Sequence, residues 1–156
     1  MHIRRAIESD IAKMVAISEV ARGEYESYSP MLWRKAEHSA ARQELHFQRL
    51  LTRADTIAFV AVDANMLAGF AVSAIADAPP VYNPGGPVCV IDDFAVANPS
   101  DWSSVGAALL NALEREAKSR GAVLTVIVCA QRDQAKRRLL QKAGTTVASE
   151  WHVKPL

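Results

Sequence analysis

Residues 88–129 constrain the fold more than any other stretch. A β-rich run at Val88–Val96 leads into an amphipathic helix at Ser103–Arg120, and a second β-rich run follows at Val123–Cys129. Val105, Leu109, Ala112, Leu113 and Ala117 share one face of the helix, and Gly121 supplies its C-terminal stop. A strand, a helix and a strand in that order form a parallel crossover unit. Val123–Cys129 is nearly all apolar and β-branched, the pattern of a strand buried on both faces.

Upstream, Ile3–Ala6 reads as a short first strand. Ser9 or Asp10 caps a helix whose apolar face uses Ile11, Met14, Val15 and Ile17. Arg22–Pro30, with Gly23, Tyr25 and Tyr28, breaks the period and reads as a loop. A second helix is expected from about Met31 to Arg53, with Leu45, Leu50 and Leu51 on its inner side. Thr56–Val62, a turn at Asp63-Ala64-Asn65 and Met66–Ala76 predict an antiparallel hairpin. Pro79, Pro80, Pro84, Gly85, Gly86 and Pro87 make Ala78–Pro87 a loop between strands. Downstream, Asp133–Ala143 is amphipathic through Ala135, Leu139, Leu140 and Ala143 and stops at Gly144. Thr145–Val147 and Glu150–Lys154 are candidates for two last strands. The order predicts an α/β domain with a mixed sheet, helices on both faces, and a central strand–loop–helix at 88–120.

At 156 residues the chain is expected to form a single domain, 1–156, with a core that needs no metal or disulfide staple. A formal net charge of +1 argues against a dedicated nucleic-acid binder. Cys89 and Cys129 form no CxxC pair and read as reduced thiols of a cytoplasmic protein. The apolar runs are far shorter than the roughly 20 residues of a membrane span, and Glu8 and Asp10 interrupt any export leader. His2, His38, His46 and His152 have no i, i+4 pairing, so no metal site is expected.

The chemistry concentrates where the strand at 88–96 runs through Asn98-Pro99-Ser100-Asp101-Trp102 into the small residues opening the central helix. Unpaired N–H groups and the positive end of a helix suit an anion there, usually phosphate, and Gly106 with its neighbouring alanines allows close approach to the backbone. The other reading is a capped helix whose small residues pack on the sheet.

This order of elements resembles the GNAT superfamily of N-acetyltransferases. The pyrophosphate loop of that family follows Gln/Arg-x-x-Gly-x-Gly/Ala. Ser103-Ser104-Val105-Gly106-Ala107-Ala108 matches its last two fixed positions and departs at Ser103. Ile3-Arg4-Arg5-Ala6 with Asp10-Ile11 looks like the family's opening, and Ala135–Lys142, Gly144 and Trp151–Leu156 look like its close. The resemblance implies acetyl-CoA, or another short acyl-CoA, as donor and a primary amine of a small molecule as acceptor, joined by direct attack in a ternary complex. It implies that main-chain groups of Phe94, Ala95 and Val96 hold the pantetheine arm and polarise the thioester carbonyl. It assigns the pyrophosphate to N–H groups of Ser103, Ser104, Val105, Gly106, Ala107 and Ala108, and it sets Asp133 where members often carry Asn. Arg132, Lys136, Arg137, Arg138 and Lys142 read as a solvated basic face of the last helix.

Asp92 and Asp93 interrupt an apolar strand, and alternation places them on opposite faces. Two readings stand: structural pairing with a neighbouring Arg or N–H, or catalysis, with Asp92 as the base relay and Asp93 as an amine-binding group. A similar acidic pair precedes Phe-x-Val in polyamine acetyltransferases of the family. Tyr25, Tyr28, Trp33 and Tyr82 fall in the loops that line the family's acceptor mouth, where aromatic faces suit a cationic amine. Leu140 occupies the position at which many members carry the Tyr that protonates the leaving thiolate. Leu140 and Ser103 motivate the alternative, a non-catalytic acyl-CoA-binding or interaction module. Pairing through the last strands into a homodimer is common in that family, while the net charge and the short apolar runs predict no nucleic-acid or membrane partner.

Overall fold

The structure, a computed structural model, describes all of residues 1–156. Its frame is a five-stranded sheet in chain order: β1 (His2–Arg5), β2 (Thr56–Asp63), β3 (Met66–Ala76), β4 (Val88–Val96) and β5 (Leu124–Ile127). β1 to β4 pair antiparallel and β4 pairs with β5 in parallel. The predicted hairpin forms with a two-residue turn, Ala64 and Asn65 taking φ of 45° and 64°. Both positive angles match the primed turn that follows the sheet's twist.

Alternation along the long strands feeds two cores. On one face, Ile57, Ala71, Cys89, Ile91, Phe94 and Val96 pack under α3 (Val105–Ser119) and α4 (Gln134–Lys142). On the other, Ala58, Val60, Phe70, Val72 and Ala95 pack under α1 (Ile11–Tyr28) and α2 (Ser39–Leu51), with Phe47 edge-on to Phe70 at 5.6 Å. Arg4 ties β1 to the start of α1 by a two-point ion pair with buried Asp10, at 2.6 and 2.8 Å. No helix is long and apolar enough to cross a membrane.

Four expectations are corrected. α1 does not end at Arg22 but runs to Tyr28, because Ser18, Ala21 and Tyr25 continue the stripe of Ile11, Met14 and Val15. The polar residues in that stripe disguise it. α2 starts at Ser39, not Met31, and turns Gln43 and Phe47 inward while Leu45 stays exposed. β5 is an edge strand whose Leu124 and Val126 are exposed, so its apolar run is buried on one face only. Residues 145–156 form no strand, and Val147, Trp151 and Val153 are exposed.

Candidate functional site

β4 and β5 pair only from Val88↔Leu124 to Ile91↔Ile127, with one further bond from Val128 N–H to the Ile91 carbonyl at 3.1 Å. Beyond that point the strands part, and the β4 segment Asp92–Val96 has no strand on that side. The opening is a cleft of about 590 Å³, walled by α1, the 31–38 segment, α2, Asp92–Ala97 and the start of α4.

A bulge sits at the acidic pair. β3 registers Val72 with Asp93 and Ser73 with Ile91, leaving Asp92 unmatched. The extra residue shifts the alternation, so Phe94 and Val96 join Ile91 on the α3 side while Asp93 falls with Ala95 on the α1/α2 side. Asp93 accepts a hydrogen bond from Gln43 Nε2 at 3.1 Å. Burial, then the neighbouring Asp92, raises its pKa above the ordinary carboxylate range. Asp92 is exposed at the cleft wall. Gln43 Oε1 and Ser18 Oγ are buried without a partner, and both residues line the same cleft.

Of the aromatic residues singled out in the sequence, Tyr25 and Trp33 line the cleft with ring centroids 5.1 Å apart. Tyr25 donates its hydroxyl hydrogen to Asp133 Oδ2 at 3.3 Å, and burial raises its pKa. Tyr28 packs at a tilt against Tyr25, ring centroids 5.7 Å apart, outside the cleft lining, and Tyr82 is exposed on the 78–87 loop, also outside it. Asp133 lines the cleft and caps α4, accepting from the Lys136 N–H at 3.0 Å.

Phe94, Ala95 and Val96 form the cleft floor, and a 3₁₀ turn at Pro99–Ser103 leads from it to the N-terminus of α3. Ser104 caps that terminus only through its backbone, its hydroxyl donating instead to the Asp101 carbonyl at 3.3 Å. The first-turn N–H groups of Val105, Gly106 and Ala107 precede the bond from Ala108 N–H to Ser104 O at 3.0 Å. Packing by itself accounts for Gly106: a Cβ there would lie 2.7 Å from Trp102 Cε3 and 3.0 Å from Leu139 Cδ2. Glycine is required by the indole beneath it.

Lys136 overturns the solvated-face reading for one of its five basic residues. It is 2% exposed, and its Nζ donates to the Phe94 carbonyl at 3.2 Å. The ammonium lies 5.2 Å from the Phe94 ring and 5.5 Å from Trp102, which meet edge-on. Burial lowers its pKa below the ordinary lysine value. A signal was present: Lys136, Leu139, Leu140 and Ala143 fall at i, i+3, i+4 and i+7, so the lysine stands in the inner stripe. Leu140 is buried in the core. Cys129 is raised to about 11 by burial and remains a thiol at neutral pH.

A mixed sheet whose parallel pair splays over a cleft, beside a helix N-terminus, is a fold of the GNAT kind that the order of elements resembles. The comparisons agree. A sequence model of the acetyltransferase (GNAT) family matches residues 17–145, and the chain belongs to that family. No functionally curated protein matches it in sequence. A mutant of the BH1408 protein from Bacillus halodurans superposes with a TM-score of 0.88 at 14% identity, covering 100% of this chain and 99% of that one. A protein described as a predicted acetyltransferase, solved with acetyl-CoA from Clostridium acetobutylicum, gives 0.73 at 21% identity over 99% and 95% of the two chains. The aminoglycoside antibiotic 6'-N-acetyltransferase of Acinetobacter haemolyticus gives 0.74 at 14% identity over 100% and 99%. At these identities the likeness is one of fold.

Proposed function

We propose that this protein transfers an acetyl or other short acyl group from acyl-CoA to the primary amine of a small molecule. The observation that carries this reading is the unpaired edge of β4 at Asp92–Val96, open to a cleft with a carboxylate on one wall and a cation on the other. Acetyl-CoA fits the residues present. The free main-chain edge suits the amides of its pantetheine arm, and the α3 first turn suits its diphosphate. When bound it supplies the activated acyl group.

Asp93 is the better proton acceptor of the acidic pair. Its raised pKa brings it nearer that of an amine, and Gln43 fixes its orientation. Asp92, exposed at the wall, draws the ammonium form of the acceptor into the cleft. This reverses the roles expected from the sequence. The unpartnered Gln43 Oε1 and Ser18 Oγ offer acceptors to an incoming N–H. The wall also carries Arg34 and Arg42, whereas Arg22 and Lys35 are paired with Glu19, so it offers an acceptor both acidic and basic partners.

Leu140 favours a second reading, binding without turnover, because its side chain has no proton to give. Thiol release from acetyl-CoA across a panel of amino acids, polyamines and aminoglycosides separates the two. Turnover that falls about a hundredfold in Asp93→Asn supports the enzyme. Tight acetyl-CoA binding with no release on any amine supports the binding module.

A further inference from the structure

Lys136 projects from the inner face of α4 into the wall of the cleft, where Nζ meets the Phe94 carbonyl. An ammonium removed from water is stable only with matching partners. Here it has one carbonyl and two aromatic faces, but no carboxylate within ion-pairing distance. Asp92 and Asp93 act on it from β4, Cys129 from the end of the β5 connection, and Asp133 from the cap of α4, all at longer range. The site is therefore complementary to an anion that arrives with the ligand, or forms on it, beside the main chain of Phe94.

We propose that Lys136 receives the leaving thiolate, performing the acid step for which Leu140 has no group. This rests on the acyl-transfer reading above. As the amine nitrogen bonds to the acyl carbon, the carbon–sulfur bond breaks and its electron pair stays on sulfur. Lys136 gives that sulfur a proton, the amine's proton passes to Asp93, and exchange with solvent resets both groups. A lysine whose burial disfavours its charge gives up the proton readily. The Phe94 and Trp102 rings on which it lies keep water from the ammonium, so its charge would act at full strength on a thiolate formed beside the Phe94 main chain.

The test is calorimetric titration of wild type and Lys136→Met with acetyl-CoA, CoA and desulpho-CoA, with steady-state kinetics alongside. Wild type is expected to bind CoA about tenfold more tightly than desulpho-CoA, and the variant to lose that preference while keeping its affinity for desulpho-CoA. The variant's kcat should fall by roughly a hundredfold, with the KM for the amine little changed. Lys136→Gln makes the same comparison if methionine is not accommodated. Equal weakening of CoA and desulpho-CoA overturns the proposal, because the lysine then serves the diphosphate. A CoA preference that survives the substitution overturns it too, as does stoichiometric acetylation of Lys136 seen by peptide mass spectrometry, which would make it a nucleophile. If wild type acylates an amine but any of these results appears, the acyl-transfer reading stands and only the lysine's role falls. Failure of wild type to bind acetyl-CoA or CoA removes both.

Discussion

Replacing Lys136 by methionine should stabilise the ligand-free protein. The change removes an ammonium that is 2% exposed, relieving a desolvation penalty of several kcal/mol. Against that, it forfeits the bond to the Phe94 carbonyl, about 1.5–3 kcal/mol for a charged donor. The two ring contacts, at 5.2 and 5.5 Å, are worth about 0.5–2 kcal/mol each. A thioether between the same rings returns about 0.3–1.5 kcal/mol. With the desolvation relief at about 5–6 kcal/mol and the other terms at mid-range, the expected balance is a gain of about 1–2 kcal/mol, at the lower end of what replacing buried ions with apolar groups gives. For a chain of this size that raises Tm by roughly 2–8 °C. The pH dependence has a definite sign. Lysine in the unfolded chain keeps its ordinary value while burial lowers the folded one, so between the two the unfolded state binds more protons and wild-type stability rises with pH. The advantage of Lys136→Met is full below the lowered value and fades towards the ordinary 10.5. Urea titrations of both proteins from neutral to alkaline pH measure it. A variant less stable than wild type by more than about 1 kcal/mol at neutral pH would refute the reasoning, since the lysine would then be a structural clasp rather than a cation held for a ligand.

Asp93→Asn should lower kcat about a hundredfold, and wild-type turnover should fall as pH drops through the raised pKa of Asp93. The same change should leave the fold at least as stable at neutral pH, because burial disfavours the charge it removes. Asp10→Asn should cost about 2 kcal/mol by weakening bonds from Arg4 and the Ile7 N–H, measured by urea unfolding. Because the folded pKa of Asp10 is depressed, its contribution is present above the unfolded value near 3.8 and is lost as pH falls through the folded value, a dependence absent in the variant. Gly106→Ala places a methyl 2.7 Å from Trp102; overpacking of about 1–3 kcal/mol should outweigh the roughly 1 kcal/mol of helix propensity, lowering Tm and donor affinity together. Ala64→Gly should raise stability by up to about 1 kcal/mol, because alanine is strained at φ 45° and glycine is not, and thermal melts would show it.

Much of the frame was legible because it follows from local rules. β3 and β4 fall at the residues expected, since Asn65 marks the turn and the proline-rich segment bounds the next strand. Gly121 and Gly144 end α3 and α4 with φ of 87° and 80°, the conformation that glycine adopts without strain. Periodicity failed at Arg22–Tyr28 and at Lys136 for a single reason. A polar residue on the inner stripe of a helix looks, in one dimension, like the end of the stripe or part of its outer face. In three dimensions Ser18, Arg22, Gln43 and Lys136 all face the same cleft.

The sequence by itself determined the crossover at 88–129, the hairpin before it and the family resemblance, because strand and helix periods, turns and a glycine-containing loop are short-range properties. Only the tertiary structure decided that the bulge at Asp92 turns Asp93 towards Gln43, and that Trp102 fills the space beside Gly106. It alone placed the ammonium of Lys136 against Phe94, forty-two residues earlier in the chain. Those outcomes depend on which faces of separate elements meet, and on how much water remains between them, which no spacing along the chain records.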